Sequence, residues 1–303
     1  MTIAFLAPGQ GSRDLVPVIE FVRARAASRD LLELAAAVID LPQSRWLERG
    51  GRNLEATENL QPILTAISLA LGNELIALGI RPDYVAGHSL GEIAAHALAG
   101  CIGHEDAIRL AALRGRLMAR EAKLHPGGLV SIGGKNDLES ALRTGRSVGW
   151  AEFGAENSPD EIVLSADDAA LKAIVAAGAA RRLAVAGPWH STAMRDAVEE
   201  FRAALTNIPR REAQCKVVMN RDGLVVRDAA VIVDFLAEQL VRPVYWSKTL
   251  DTLYAAMVRD FVVLGPGSVL RSLVRKNLGP DVRVWSTDTD SSIGSLREAF
   301  GGS

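Results

Sequence analysis

The sequence predicts an α/β fold with a largely parallel central sheet. Short apolar runs of strand length alternate with longer stretches of helical periodicity. One strand-to-helix junction carries a serine flanked by glycines, and the stretch from about residue 128 to 186 breaks the alternation with a rhythm of its own.

Ile3 to Ala7 is the first strand, and the glycine-rich turn Pro8-Gly9-Gln10-Gly11-Ser12 follows it. Helical segments are expected over roughly Leu15–Ala27, Arg29–Ile39 and Leu60–Leu78, then a short strand at Tyr84-Val85-Ala86 and a helix just after Ser89. Glu105–Lys123 repeats apolar residues at helical spacing beside a basic edge, and His125-Pro126-Gly127-Gly128 ends it. Beyond it, Leu129–Ile132, Val148–Phe153, Ile162–Ser165 and Arg182–Ala186 read as strands, with helices at Asp137–Arg143 and Asp168–Ala177. The order βαββαβ is that of a ferredoxin-like subdomain. The expected organisation is a discontinuous large domain, residues 1-126 and 190-303, with a small subdomain, residues 127-189, inserted in it. A cleft between two such parts is a favoured place for a ligand.

With 303 residues, 49% of them hydrophobic and 23% charged, the chain can bury a sizeable core and is not globally disordered. A formal net charge of -2 gives no electrostatic reason to expect nucleic acid as a partner. Cys101 and Cys215 form neither a disulfide framework nor a metal-ligand spacing, and read as small buried apolar groups. The start, Met1-Thr2-Ile3-Ala4-Phe5-Leu6, lacks the basic region and cleavage site of a signal peptide. Ile63 to Ile80 is the most apolar later stretch, but Asn73 and Glu74 within it favour a core helix over a membrane span. No membrane association is expected, and a reducing, cytoplasmic setting is.

Gly87-His88-Ser89-Leu90-Gly91 is a G-x-S-x-G pentapeptide between a strand and a helix, the pattern of a nucleophile elbow in an α/β-hydrolase-like domain. The turn lifts the serine hydroxyl above the sheet, the N–H of Leu90 points at a developing oxyanion, and the next helix adds its positive end. A serine hydroxyl needs a base to become a nucleophile. Of His88, His96, His104, His125 and His190, the last is best placed; His96 and His104, on or just past the helix after Ser89, are expected in solvated or capping roles. It lies in Gly187-Pro188-Trp189-His190-Ser191, where the chain returns from the inserted section. On local pattern alone, a structural histidine stays open there. No third, acidic partner stands out.

Gly87-His88-Ser89-Leu90-Gly91-Glu92 resembles the GHSxGE signature of malonyl-CoA:carrier-protein acyltransferases, which include the acyltransferase domains of polyketide synthases. Pro8-Gly9-Gln10-Gly11-Ser12 resembles the family's N-terminal PGQGS loop, and Gln61-Pro62 its Gln-Pro before a long helix. Leu113-Arg114-Gly115 with Met118 resembles RGxxM, and Trp189-His190-Ser191 with Met194 resembles FHSxxM. Asn157 with Ile162-Val163-Leu164-Ser165, Gln239 with Pro243-Val244-Tyr245-Trp246, and Gly265-Pro266-Gly267-Ser268-Val269-Leu270 continue the correspondence in order. The resemblance implies Ser89 as the acylated nucleophile and His190 as its base, with the backbone carbonyl of Gln239 orienting the imidazole. It implies the N–H groups of Gln10 and Leu90 as the oxyanion hole. Arg114 is implied to grip the free carboxylate of malonate with its two-pronged guanidinium. Gln61, Asn157, Trp189 and His88 are implied to line the acyl pocket and cleft.

The same resemblance implies a ping-pong transfer from malonyl-CoA to a phosphopantetheinylated acyl carrier protein, in fatty-acid or polyketide biosynthesis, with action in trans included. It implies no cofactor; the coenzyme A thioester is the substrate. Carrier proteins are usually acidic, so Arg116, Arg120 and Lys123, and Arg271, Arg275 and Lys276, are expected as basic docking faces, with ordinary solvated faces as the alternative. An acyl-thioester hydrolase and the malonyltransferase of a malonate decarboxylase are the alternatives. Three residues depart from the family pattern: Trp189 stands for a phenylalanine, Arg13 for a glutamine and Val263 for an acidic residue. The larger ring of Trp189 leaves less room beside the acyl α-carbon, so unbranched malonyl is the expected acyl group.

Overall fold

The structure, a computed structural model, describes residues 2–11, 15–178 and 180–301. Ser12 and Arg13 of the first loop therefore lie outside the described residues. The first part of the chain runs β1 (Ile3–Ala7), α1 (Leu15–Arg23), α2 (Arg29–Val38), α3 (Thr57–Ala77), β2 (Tyr84–Gly87), α4 (Gly91–Leu98) and α5 (His104–Leu124). The middle section runs β3 (Gly127–Ile132), α6 (Lys135–Arg146), β4 (Ala151–Ser158), β5 (Glu161–Asp167), α7 (Asp168–Ala176) and β6 (Arg181–Arg182). Then come α8 (Val198–Thr206), β7 (Lys216–Val218), β8 (Val225–Val226), α9 (Ile232–Glu238), β9 (Val244–Tyr245) and α10 (Trp246–Ala255). The chain closes with β10 (Asp260–Val263), α11 (Ser268–Leu278), β11 (Arg283–Ser286) and α12 (Asp290–Phe300).

The fold is mixed α/β. One sheet has the strand order β11-β10-β1-β2-β7-β8, parallel throughout except for the β7–β8 pair. All residues of β1 and β2 are buried, as strands covered by helices on both faces must be. A second sheet, ordered β6-β3-β5-β4-β9, is antiparallel among its first four strands, and β9 joins β4 in parallel. That last pairing, Ala155 to Val244 and Glu156 to Tyr245, ties the middle section to the segment that follows Gln239.

The expected elements recur with shifted ends. β4 starts at Ala151 rather than Val148, because Val148 and Gly149 donate back to the Gly145 carbonyl and finish α6. The closing strand is only Arg181–Arg182, not Arg182–Ala186. After Leu183 the chain folds on itself through a bond from the Val185 N–H to the Leu183 carbonyl and becomes a wall of the cleft. α3 starts at Thr57, ahead of the expected Leu60, and accommodates Pro62 in its second turn. By length and composition α3 could cross a membrane, yet 72% of that stretch is buried inside the fold, chiefly against α5.

His96 corrects an expectation. It lies on α4 with no exposed surface, and neither ring nitrogen has a partner among the described residues. Burial lowers its pKa to about 4, so it is neutral in the folded chain. An unfolded chain takes up this proton near pH 6.5, so the contribution of His96 to stability is lost as pH falls from there towards 4. Replacing His96 by leucine removes both that loss and two unpaired polar atoms. Relative to the wild type, the variant is expected to gain on the order of 2 kcal/mol more at pH 5 than at pH 8. Urea unfolding at the two pH values measures the difference.

Candidate active site

The site lies beyond the carboxyl ends of the parallel strands, where loops from β1, β2, β7 and β10 meet the second sheet. A cavity of about 370 Å³ opens there, lined among others by Gln10, His88, Ser89, Asn157, Trp189 and His190. β2 ends at Gly87, Ser89 takes a left-handed φ of 52°, and α4 begins at Gly91. The glycines are needed for close approach. A Cβ on Gly87 would fall 1.9 Å from the Gly91 carbonyl carbon, and one on Gly91 would fall 2.1 Å from the Ala7 oxygen of β1. Only two bare backbones let the turn sit this tightly on the sheet, which leaves the strain on the serine.

Ser89 Oγ lies 2.7 Å from His190 Nε2. His190 Nδ1 lies 2.9 Å from the carbonyl oxygen of Gln239. A carbonyl only accepts, so Nδ1 carries the proton and the Nε2 lone pair faces the serine hydroxyl. This is a Ser-His pair whose imidazole is oriented by a main-chain carbonyl rather than by a carboxylate. Burial, and then the charge of Arg114, lower the His190 pKa to about 3, which keeps the ring neutral. His190 itself holds a left-handed φ of 59°.

Arg114 comes up from α5 and is 1% exposed. Its guanidinium donates to Gln61 Oε1 at 2.9 Å, to Gln239 Oε1 at 2.9 Å and to Ser89 Oγ at 3.2 Å, while Nε has no partner among the described residues. Burial lowers its pKa to about 10, which leaves it cationic at neutral pH. Gln61 Nε2 donates to the Thr57 hydroxyl, 2.9 Å away, and Gln10 Nε2 reaches the same hydroxyl at 2.8 Å. The loop after β1 is thus fastened to the residues that hold Arg114. Among the described residues, the Gln10 and Leu90 N–H groups have no protein acceptor.

On the other wall, Asn157 Nδ2 donates to Glu161 at 3.1 Å, so its Oδ1, 2.9 Å from His88 Nε2, is the acceptor there. His88 therefore carries its proton on Nε2, and burial lowers its pKa. Trp189 is 4% exposed, and its carbonyl accepts from the Ser165 hydroxyl. Its six-membered ring lies over Gly187, where a Cβ would be 2.5 Å away. Val263 is fully buried at the end of β10 and packs against Gly267, where an acidic side chain would be stranded.

Three residues of the site had no assigned role in the sequence: Thr57, Glu92 and Asn220. Asn220 is fully buried; its Oδ1 accepts from the Ser89 N–H at 2.6 Å and its Nδ2 donates to the Gly87 carbonyl at 2.5 Å. Glu92, 1% exposed, accepts from the Asn220 N–H at 2.7 Å and from Gln239 Nε2. Burial raises its pKa to about 7, against the pull of those donors and of Arg114. The available signal was Glu92 itself, the last residue of the GHSxGE resemblance and a charge in front of the apolar run Ile93-Ala94-Ala95.

The proposed basic faces are partly neutralised. Arg120 pairs with Glu121 and Glu200, Arg271 with Asp288 and Lys276 with Glu161. Arg116, Arg120, Lys123 and Glu58 line a surface groove together.

A strained serine, a neutral histidine and a buried arginine in one cleft define an acyl-transfer site of the serine-histidine class. The family described as acyl transferase domain matches residues 18–297. A malonyl CoA-acyl carrier protein transacylase of Bacillus subtilis is 32% identical over 287 residues, covering 90% of each chain. One from Staphylococcus aureus is 30% identical over 308 residues, covering 97% of this chain and 98% of its own. Among solved structures, the acyl-carrier-protein-S-malonyltransferase of Bartonella henselae superposes with a TM-score of 0.91 at 26% identity, over 100% of both chains. MCAT from Mycobacterium tuberculosis gives 0.88 at 30% identity, over 98% of this chain and 99% of its own. The chain belongs to the acyl transferase domain family.

Proposed function

We propose that the protein transfers a malonyl group from malonyl-CoA to the phosphopantetheine thiol of an acyl carrier protein, supplying malonyl units for fatty-acid synthesis. One observation carries this reading: Arg114, buried and cationic, donates to the Oγ of the same Ser89 that His190 engages. A fixed guanidinium beside the nucleophile selects an acyl chain that ends in a carboxylate.

His190 Nε2 takes the Ser89 proton as Oγ attacks the thioester carbon, and the Gln10 and Leu90 N–H groups receive the oxyanion. The tetrahedral intermediate expels the CoA thiolate, which leaves with the proton from His190, and malonyl-Ser89 remains. The carrier's thiol then gives its proton to His190, attacks the ester carbon and departs as malonyl thioester, returning the proton to Ser89. Gln61, His88, Asn157 and Trp189 line the path of the acyl and pantetheine groups. The chemistry uses no cofactor beyond the thioester substrate.

In this reading the parallel sheet and its helices form an α/β-hydrolase-like body, residues 1-126 and 190-303. The insertion, residues 127-189, is a ferredoxin-like subdomain whose β4 and β5 wall the cleft. The protein acts in the cytoplasm, without nucleic acid or membrane as a partner.

Intact-mass measurement after brief incubation with malonyl-CoA tests the reading. A malonyl adduct on Ser89 that discharges onto added carrier protein supports it. An adduct lost as fast without carrier would make the protein a hydrolase. Trp189→Ser is expected to raise methylmalonyl acylation relative to malonyl by about tenfold or more, the value of room for one methyl group. Competition between the two acyl-CoA substrates measures that ratio.

A further inference from the structure

The side chain of Gln239 has a job separate from that of its backbone. Oε1 accepts from Arg114, while Nε2 donates to Glu92 Oε2 and to the Ser89 carbonyl, 3.1 Å away. Turned over, the amide would set an NH2 group against the guanidinium and an oxygen against two acceptors. What holds it the right way round is Glu92, which has an acceptor for each of two donors: Oε1 for the Asn220 N–H and Oε2 for Gln239. Asn220 in turn grips the elbow at the Ser89 N–H and the Gly87 carbonyl.

We infer that Glu92 is a positioning residue: its two carboxylate oxygens fix the Gln239 amide, and through it the Arg114 guanidinium, in the orientation that recognises a carboxylate-bearing acyl group. The inference rests on the proposed malonyl transfer. It adds a residue that touches no substrate yet sets acyl selectivity.

Glu92→Gln keeps the shape and supplies one acceptor where two are needed. The Asn220 N–H is fixed by main chain, so the amide oxygen of the variant goes to it and the NH2 group faces Gln239. The Gln239 amide then turns, and Arg114 loses its acceptor. The readout is the ratio of malonyl to acetyl acylation of Ser89, measured at pH 8 and normalised to the serine that a phosphonate labels. E92Q is expected to lower this ratio at least tenfold, with less effect on acetyl transfer. In a Gln239→Leu background, where there is no amide to orient, E92Q is expected to change the ratio less than twofold. Should E92Q not fold, Glu92→Asp makes the same comparison, with about a threefold fall that Q239L again removes. A ratio unchanged in the single Glu92 variant, or one that falls equally in both backgrounds, overturns the inference. A wild type that does not favour malonyl overturns the proposed function instead.

Discussion

His190→Ala is expected to slow acylation of Ser89 by malonyl-CoA about a thousand- to ten-thousandfold, a loss of about 4–5.5 kcal/mol of barrier lowering. The reason is geometric. Among the described residues, the base within reach of Ser89 Oγ is His190 Nε2 at 2.7 Å, and the other near polar group, Arg114, can only donate. The imidazole is oriented by a main-chain carbonyl rather than a carboxylate. No substitution at residue 239 removes that carbonyl, so Gln239→Leu is expected to spare the base while harming acyl selection. Burial and Arg114 hold the His190 pKa near 3, well below the ordinary histidine value of 6.5. The ring is therefore a ready proton acceptor throughout the neutral range, and the acid limb of kcat/KM is expected far below pH 6.5. A malonyl carboxylate on Arg114 offsets the neighbouring charge, so the limb in kcat is expected higher than that in kcat/KM. In stopped-flow release of CoA between pH 4 and 9, kcat/KM is expected to show no acid limb near pH 6.5, and any fall at the acid end to appear in kcat first.

The parts of the site that were legible in the sequence are those whose chemistry coincides with local backbone pattern. Ser89 sits at a strand-to-helix junction between two glycines, and His190 at the end of a return segment. Both patterns survive in a linear reading because the chain itself makes the turn. The supporting residues have no such trace. Asn220 lies in Asn220-Arg221-Asp222-Gly223, which reads as an ordinary turn, and only the pairing of β7 with β2 brings it under the elbow. Thr57 falls ahead of the helix start expected at Leu60 in sequence, and is a hub between Gln10 and Gln61 in space. His96 was read as lying at a solvated or capping position, but every residue of α4 is buried, so no face of that helix is left for solvent. The strand expected at Arg182–Ala186 stops at Arg182 for a related reason: Ala184 and Val185 line the cleft, and the Val185 N–H turns back to the Leu183 carbonyl instead of to a neighbouring strand.

Arg114→Ala is expected to reverse acyl preference: malonyl acylation falls about a hundred- to a thousandfold while acetyl acylation holds or rises. A desolvated carboxylate facing no cation costs several kcal/mol, whereas an acetyl group makes no use of the guanidinium. Arg114→Lys is not expected to recover the loss. The guanidinium reaches Gln61, Gln239 and Ser89 from one plane, and a single ammonium cannot span those positions or present a parallel pair of donors to a carboxylate. Stability is expected to fall as well: removing the buried cation relieves its desolvation penalty and the unpaired Nε, but it leaves a cavity and strands the Gln61 and Gln239 acceptors. The same substitution takes a positive charge away from His190, so its pKa is expected to rise and the acid limb of acetyl transfer to move to higher pH. That coupling separates recognition from folding damage. A variant that is merely misfolded loses both acyl groups together, whereas loss of the carboxylate clamp removes malonyl, keeps acetyl and shifts the pH profile upward.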